Sequence, residues 1–95
     1  MSRWFVYLVR TAGGALYTGI TIDVERRFAE HQAGAPKGAR SLRGKGPLKL
    51  EFWAEAGDRA TASRLEWAIK QWPRDRKEAL IRGEQTLPLF ADADE

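Results

Sequence analysis

The sequence predicts an α+β domain with its elements in the order β-β-α-β-α-α. Three observations carry this reading. Trp4-Phe5-Val6-Tyr7-Leu8-Val9 is an almost unbroken apolar run, a glycine turn leads from it into a second strand-like run, and two aspartates precede amphipathic helical patterns.

Each element has a local cause. Trp4 to Val9 has the composition of a strand covered on both faces. Thr11-Ala12-Gly13-Gly14 is a turn signal, and Leu16 to Ile20 reads as the returning strand. A hairpin of this loop length brings Tyr7 and Tyr17 within a residue or two of each other. Gly19 follows Tyr17 by two positions, so it shares that face and leaves space there which a side chain would fill. Asp23 is a good N-cap for a helix running to about Ala33, with Gly34 as its stop. Val24, Arg27, Phe28 and His31 follow the i, i+3, i+4, i+7 pattern and share one face. Val24 and Phe28 mark that face as buried. Arg27 within it therefore needs an anion, a carboxylate or the rim of a cleft, because an unpaired buried charge is strongly destabilising. A structural ion pair at Arg27 and a satisfied structural histidine at His31 are the plain alternatives. Leu48 to Ala54 alternates as a third strand, which places Leu48, Leu50 and Phe52 on one side. Asp58 caps a second helix, roughly Arg59 to Trp72, with an apolar stripe of Ala62, Leu65, Ile69 and Trp72. Glu66 lies against that stripe, with Lys70 at i+4 as an ordinary ion-pair partner. Pro73 opens a third helix ending near Gly83.

Composition narrows the function. At 95 residues and 43% hydrophobic content, the chain suits one domain, read as residues 1–83 with a tail at 84–95. Cysteine is absent, which excludes disulfides, thiolate nucleophiles and zinc–thiolate sites. No apolar run is long enough to span a bilayer, and the expected location is cytoplasmic. The net charge of +3 understates the basic character, because Asp92, Asp94 and Glu95 crowd the C-terminus and residues 1–91 carry sixteen basic against ten acidic side chains. Between Gln32 and Leu50 stand Lys37, Arg40, Arg43, Lys45 and Lys49 with no acidic residue. That one-sided stretch favours a polyanion, with Lys37, Arg40, Arg43 and Lys45 as candidate nucleic-acid contacts; a solvated basic loop is the alternative.

The whole pattern resembles the GIY-YIG nuclease family, in particular its small stand-alone bacterial members. Phe5-Val6-Tyr7 stands where the first triplet would be, and Tyr17-Thr18-Gly19 where the second would be. Gly19-Ile20-Thr21, Asp23, Arg27, His31, a basic loop, a third strand and Glu66 follow at the family's spacing, so the resemblance covers roughly residues 3–82. It implies a three-stranded antiparallel sheet flanked by helices, and an endonuclease that hydrolyses DNA phosphodiesters with one Mg²⁺ or Mn²⁺ ion per site. The implied catalytic set is Tyr7, Tyr17, Arg27, His31 and Glu66. Glu66 would hold the metal, Arg27 would stabilise developing charge, and Tyr7 is favoured as the base with Tyr17 as positioner. His31 would bond a tyrosine hydroxyl or the phosphate. The expected activity is structure-selective or non-specific, in repair or recombination; the alternative is a weakly active or inactive nucleic-acid-binding module. Two departures stand out: the first triplet lacks its glycine, and the chain has no asparagine, a residue many relatives carry late in the domain. Finally, Gln85-Thr86-Leu87-Pro88-Leu89-Phe90 resembles peptides that bind the bacterial sliding clamp, with packing back on the core as the alternative.

Overall fold

β1 (Trp4–Arg10) is apolar throughout because it is the central strand of a three-stranded antiparallel sheet, ordered β2-β1-β3, with β2 at Leu16–Thr21 and β3 at Lys49–Gly57. Val6, Tyr7, Leu8 and Val9 are all buried, since helices or loops cover each face of the sheet. The computed structural model describes residues 3–34 and 36–88.

The two faces have separate cores. On the back, Val6 and Leu8 pack with Ala62, Leu65 and Ile69 of α2 (Arg59–Lys70) and Leu80 of α3 (Arg74–Ile81). On the front, Tyr7 and Val9 pack with Phe28 of α1 (Val24–Ala33) and with Leu42 and Leu48 from the basic loop. The Asp23 and Asp58 side chains accept hydrogen bonds from the Arg26 and Thr61 amides, as N-caps should. Gly34 closes α1 at φ 86°, a conformation that favours glycine. α2 ends at Lys70, two residues short of the expected Trp72, which is nevertheless buried just beyond it. Pro73 is the cap of α3 rather than its first residue. No helix among the described residues is long and apolar enough to cross a membrane.

The third strand departs from simple alternation. Leu8 pairs with Phe52 but Val9 pairs with Leu50, so Glu51 is an extra residue in β3. This bulge sends Phe52 to the back core while Leu48 and Leu50 join the front one. The expectation that Leu48, Leu50 and Phe52 share a side is thereby corrected. Beyond the bulge Trp53 pairs with Tyr7, on the same face of the sheet.

Glu51 is held by Arg10, whose guanidinium also makes a bidentate pair with Glu78 of α3 at 2.7 and 2.8 Å. Arg74 reaches the same Glu78 carboxylate and the Gly14 carbonyl. Arg10 first, then Arg74, draws the Glu78 pKa from 4.5 down to about 2. A carboxylate with a depressed folded pKa stabilises the fold above its unfolded value and loses that contribution as pH falls through the folded one. The melting temperature is therefore expected to drop between about pH 4.5 and pH 2. A Glu78→Gln variant should melt lower at neutral pH and show a shallower acid limb; an unchanged acid limb would place the acid sensitivity elsewhere.

Candidate active site

The front face gathers most of the predicted residues around one hydroxyl. Tyr7 on β1 sits opposite Gly19 on β2, and Val9 opposite Tyr17, so the two tyrosines are offset by one same-face step. Their ring centroids are 6.3 Å apart. A Cβ on Gly19 would lie 2.5 Å from the Tyr7 hydroxyl and 3.1 Å from the Tyr17 ring. Glycine is thus required because the Tyr7 ring crosses its strand neighbour at close approach, the space anticipated from the face-sharing of Tyr17 and Gly19.

His31 closes the cluster from α1. Its Nε2 lies 2.8 Å from the Tyr7 hydroxyl, and its ring stands edge-on to Tyr17 with centroids 5.5 Å apart. The Ala39 amide donates to Nδ1 at 3.0 Å. Nδ1 therefore carries no proton, and in the neutral ring the proton sits on Nε2 and is donated to Tyr7 Oη. This tautomer leaves the tyrosine's own proton directed away from His31. Burial first, and then the Arg27 charge, hold the His31 pKa below the usual imidazole range. The neutral form is consequently the working one near pH 7.

Tyr7 is subject to opposed influences. Burial and the adjacent Tyr17 push its phenol above the ordinary value, Arg27 pulls it down, and the Glu66 carboxylate adds to the rise. Arg27 resolves its exposed-or-paired ambiguity by doing some of each. It donates to Glu30 Oε1 at 2.8 Å and to the Lys37 carbonyl at 2.7 Å, and its side chain keeps 30% exposure. The ion pair with Glu30 raises the Arg27 pKa most, with Tyr7 a further contributor. A single nitrogen, Nη1, makes both bonds, so the guanidinium is tied at one atom to its own helix and to the loop.

Glu66 comes from α2, on the other side of the sheet, and pairs with Lys70 at 3.2 Å, the ordinary helical partner. It reaches Tyr7 electrostatically, while no group of three or more metal-ligating side chains exists among the described residues. A single, quarter-exposed carboxylate that would exchange its Lys70 partner for the ion suits Mg²⁺, which takes one or two carboxylates and fills its remaining positions with water and phosphate oxygens.

Lys37, Arg40, Arg43 and Lys45 are all exposed, on a loop fixed at several points. Gln32 exchanges two hydrogen bonds with the Leu48 backbone, Arg43 bonds the Pro36 carbonyl, and the Ala12 amide bonds the Lys45 carbonyl. Lys45 reaches a small cleft, about 170 Å³, shared with Thr11, Ser41 and Tyr17. The basic loop therefore borders the tyrosine cluster. Of the clamp-like segment Gln85–Phe90, Leu89 and Phe90 lie outside the described residues, and Leu87 packs against the back core.

Sequence reasoning missed Glu30 and Trp53. Glu30 stands three residues after Arg27 on the same helix, a spacing that was open to inspection. Trp53 reached the front face only through the Glu51 bulge, which leaves no local signal.

Comparisons with known proteins bear on the family and the fold. The GIY-YIG catalytic domain model matches residues 3–79. A UPF0213 protein of Yersinia pestis is 55% identical over 94 residues, covering 97% of each chain. The solution structure of a UPF0213 protein from Bacillus halodurans is similar at TM-score 0.55 and 35% identity, covering 86% of this chain and 85% of that one. An E. faecalis protein, also solved by NMR, is similar at TM-score 0.61 and 25% identity, covering 87% and 86%. With the tyrosine hairpin, the helix bearing Arg27 and His31, and the family match over most of its length, this chain belongs to the GIY-YIG family.

Proposed function

We propose that the protein is a metal-dependent endonuclease that hydrolyses DNA phosphodiester bonds, structure-selectively or without sequence preference, in DNA repair or recombination. The observation that carries this reading is the Tyr7 hydroxyl, buried over Gly19, fixed by the His31 Nε2–H and flanked by Tyr17 and Arg27. A structural core would fill these positions with aliphatics. Glu66 adds a carboxylate that a surface made only for binding a polyanion would not favour.

In this reading Glu66 would hold the Mg²⁺ or Mn²⁺ ion. Bound there, such an ion supplies charge neutralisation at the phosphate and at the leaving oxygen. Arg27 donates to a nonbridging phosphate oxygen, its Nη1 being the nitrogen tied to Glu30 and the Lys37 carbonyl. Tyr7 first releases its own proton to solvent and then, as tyrosinate, takes the proton of the attacking water; the His31 Nε2–H, a donor, bonds the phenolate oxygen and does not compete for that proton. Tyr17, beside the Lys45 cleft, positions the phosphate. Lys37, Arg40, Arg43 and Lys45 contact the backbone without reading sequence.

Purified protein incubated with branched, nicked, single- and double-stranded DNA should cut at least one of them with Mg²⁺ or Mn²⁺ and none with chelator. Arg27→Ala and Glu66→Gln should each lower the rate by about 100-fold or more. Cutting that persists in both variants would refute the assigned centre. DNA that is bound but never cut would make the protein a binding module on a nuclease fold.

A further inference from the structure

Beside the tyrosine cluster, on the same face of the sheet, lies a cavity of about 450 Å³ that the mechanism above does not use. It is within the usual size range of small-molecule sites, about 300–1,000 Å³. Its wall is apolar, formed by Phe5, Ile22, Leu50 and Trp53, with Asp23 and Glu25 at one edge. Trp53 is 57% exposed although its cross-strand partner is the buried Tyr7. Phe5 meets the Trp53 ring in a T-shaped contact, centroids 6.1 Å apart at 65°, which fixes the indole plane while leaving a face open. Ile22, 44% exposed, stands across from it.

Charge decides what fits. Among the described residues no lysine or arginine lines this cavity, whereas Lys45 of the basic loop lines the separate cleft that includes Tyr17. A phosphate would be repelled by Asp23 and Glu25. An uncharged planar group would not be, and the N–H donors on its edge, a ring imide or an exocyclic amine, would find acceptors in those carboxylates. Trp53, in the cavity wall, is the cross-strand partner of Tyr7, so an occupant of the cavity would sit one strand away from the tyrosine cluster.

We infer that Trp53 is a stacking platform for an unpaired nucleobase next to the scissile phosphate, so that the substrate is single-stranded DNA or a junction with an unpaired base. The inference rests on the nuclease reading and narrows its substrate. A base within intact duplex is stacked on its neighbours and cannot enter; an unpaired one enters without that cost. The backbone then runs from the basic loop across the tyrosines, and the base turns toward β3.

Binding tests this separately from cutting. In chelator, fluorescently labelled oligo-dT and a blunt duplex of equal length are titrated into wild type, Trp53→Ala and Trp53→Phe, with circular dichroism as the check on folding. Trp53→Ala should lower the single-strand affinity, taken as a ratio to the duplex affinity, about tenfold. Trp53→Phe should keep most of it. Oligo-dT should quench the intrinsic fluorescence of wild type and of Trp67→Phe, whose exposed tryptophan lies on α2, and the quench should be lost in Trp53→Phe. An unchanged ratio in Trp53→Ala overturns the inference, while Glu66-dependent cleavage would still support the nuclease. A quench lost in Trp67→Phe instead moves the base to α2 and also overturns it. If neither DNA binds and nothing is cut with Mg²⁺, the inference and the nuclease reading fall together.

Discussion

Replacing Gly19 by alanine is expected to lower folding stability by about 1–3 kcal/mol and to reduce DNA cleavage about 1,000-fold. The added methyl would stand 2.5 Å from the Tyr7 hydroxyl and 2.6 Å from Cζ, so the end of the ring has to move. A flexible surface side chain would swing aside at little cost. Tyr7 cannot, because its ring is 2% exposed, packed with Val9 and Leu48, and bonded to His31. Retreat toward Tyr17 is also blocked, since that ring is already 3.1 Å from the new atom. Moving the hydroxyl breaks its bond to Nε2 and misplaces the proposed base, which explains why the catalytic loss should exceed the folding loss. Urea unfolding and a cleavage assay on the folded variant measure the two effects. A thermodynamic cycle with Tyr7→Leu isolates the cause: without the ring, the cost of Gly19→Ala should shrink markedly. Equal stability and activity in Gly19→Ala and wild type would contradict the packing described.

The Tyr7–Tyr17–Gly19 relation was legible because it depends only on a two-residue period and a short turn. The helix placement of Arg27 and His31 was legible for the same reason at period 3.6. What the pattern hid is set by distant partners. The Glu51 bulge is held by Arg10, forty-one positions away in sequence, and Arg10 is shared with Glu78. Alternation within Leu48 to Ala54 cannot register that constraint, so it groups Phe52 with Leu48 and Leu50 and gives Trp53 no role. The His31 tautomer was hidden too, because its donor is the backbone of Ala39, and amides have no sequence signature. The alternative kept for Arg27, a structural ion pair, is present, and it is made through Nη1 alone while the side chain keeps 30% exposure.

Cleavage should accelerate about tenfold per pH unit between pH 6.5 and 9, and Tyr7→Phe should both remove that slope and lower the rate at pH 8 by about 100- to 10,000-fold. The sign follows from the two shifts on the front face. Burial and Tyr17 raise the Tyr7 pKa, so tyrosinate is a minor species throughout this range and its fraction grows with each unit of pH. His31 is shifted the other way, by burial and Arg27, and is already neutral where the rise begins. It therefore contributes no limb of its own above its usual range. At lower pH its protonation must occur at Nδ1, which displaces the Ala39 amide and loosens the basic loop where it borders the tyrosines. A histidine whose folded pKa is depressed stabilises the fold above its unfolded value and loses that contribution as pH falls through the folded one, so the same acid step weakens the fold. A merely positioning Tyr7 would give a flat profile whose level alone drops in Tyr7→Phe. A slope that survives in Tyr7→Phe would place the base elsewhere, and the half-buried Tyr17, nearer the Lys45 cleft, would be the residue to substitute next.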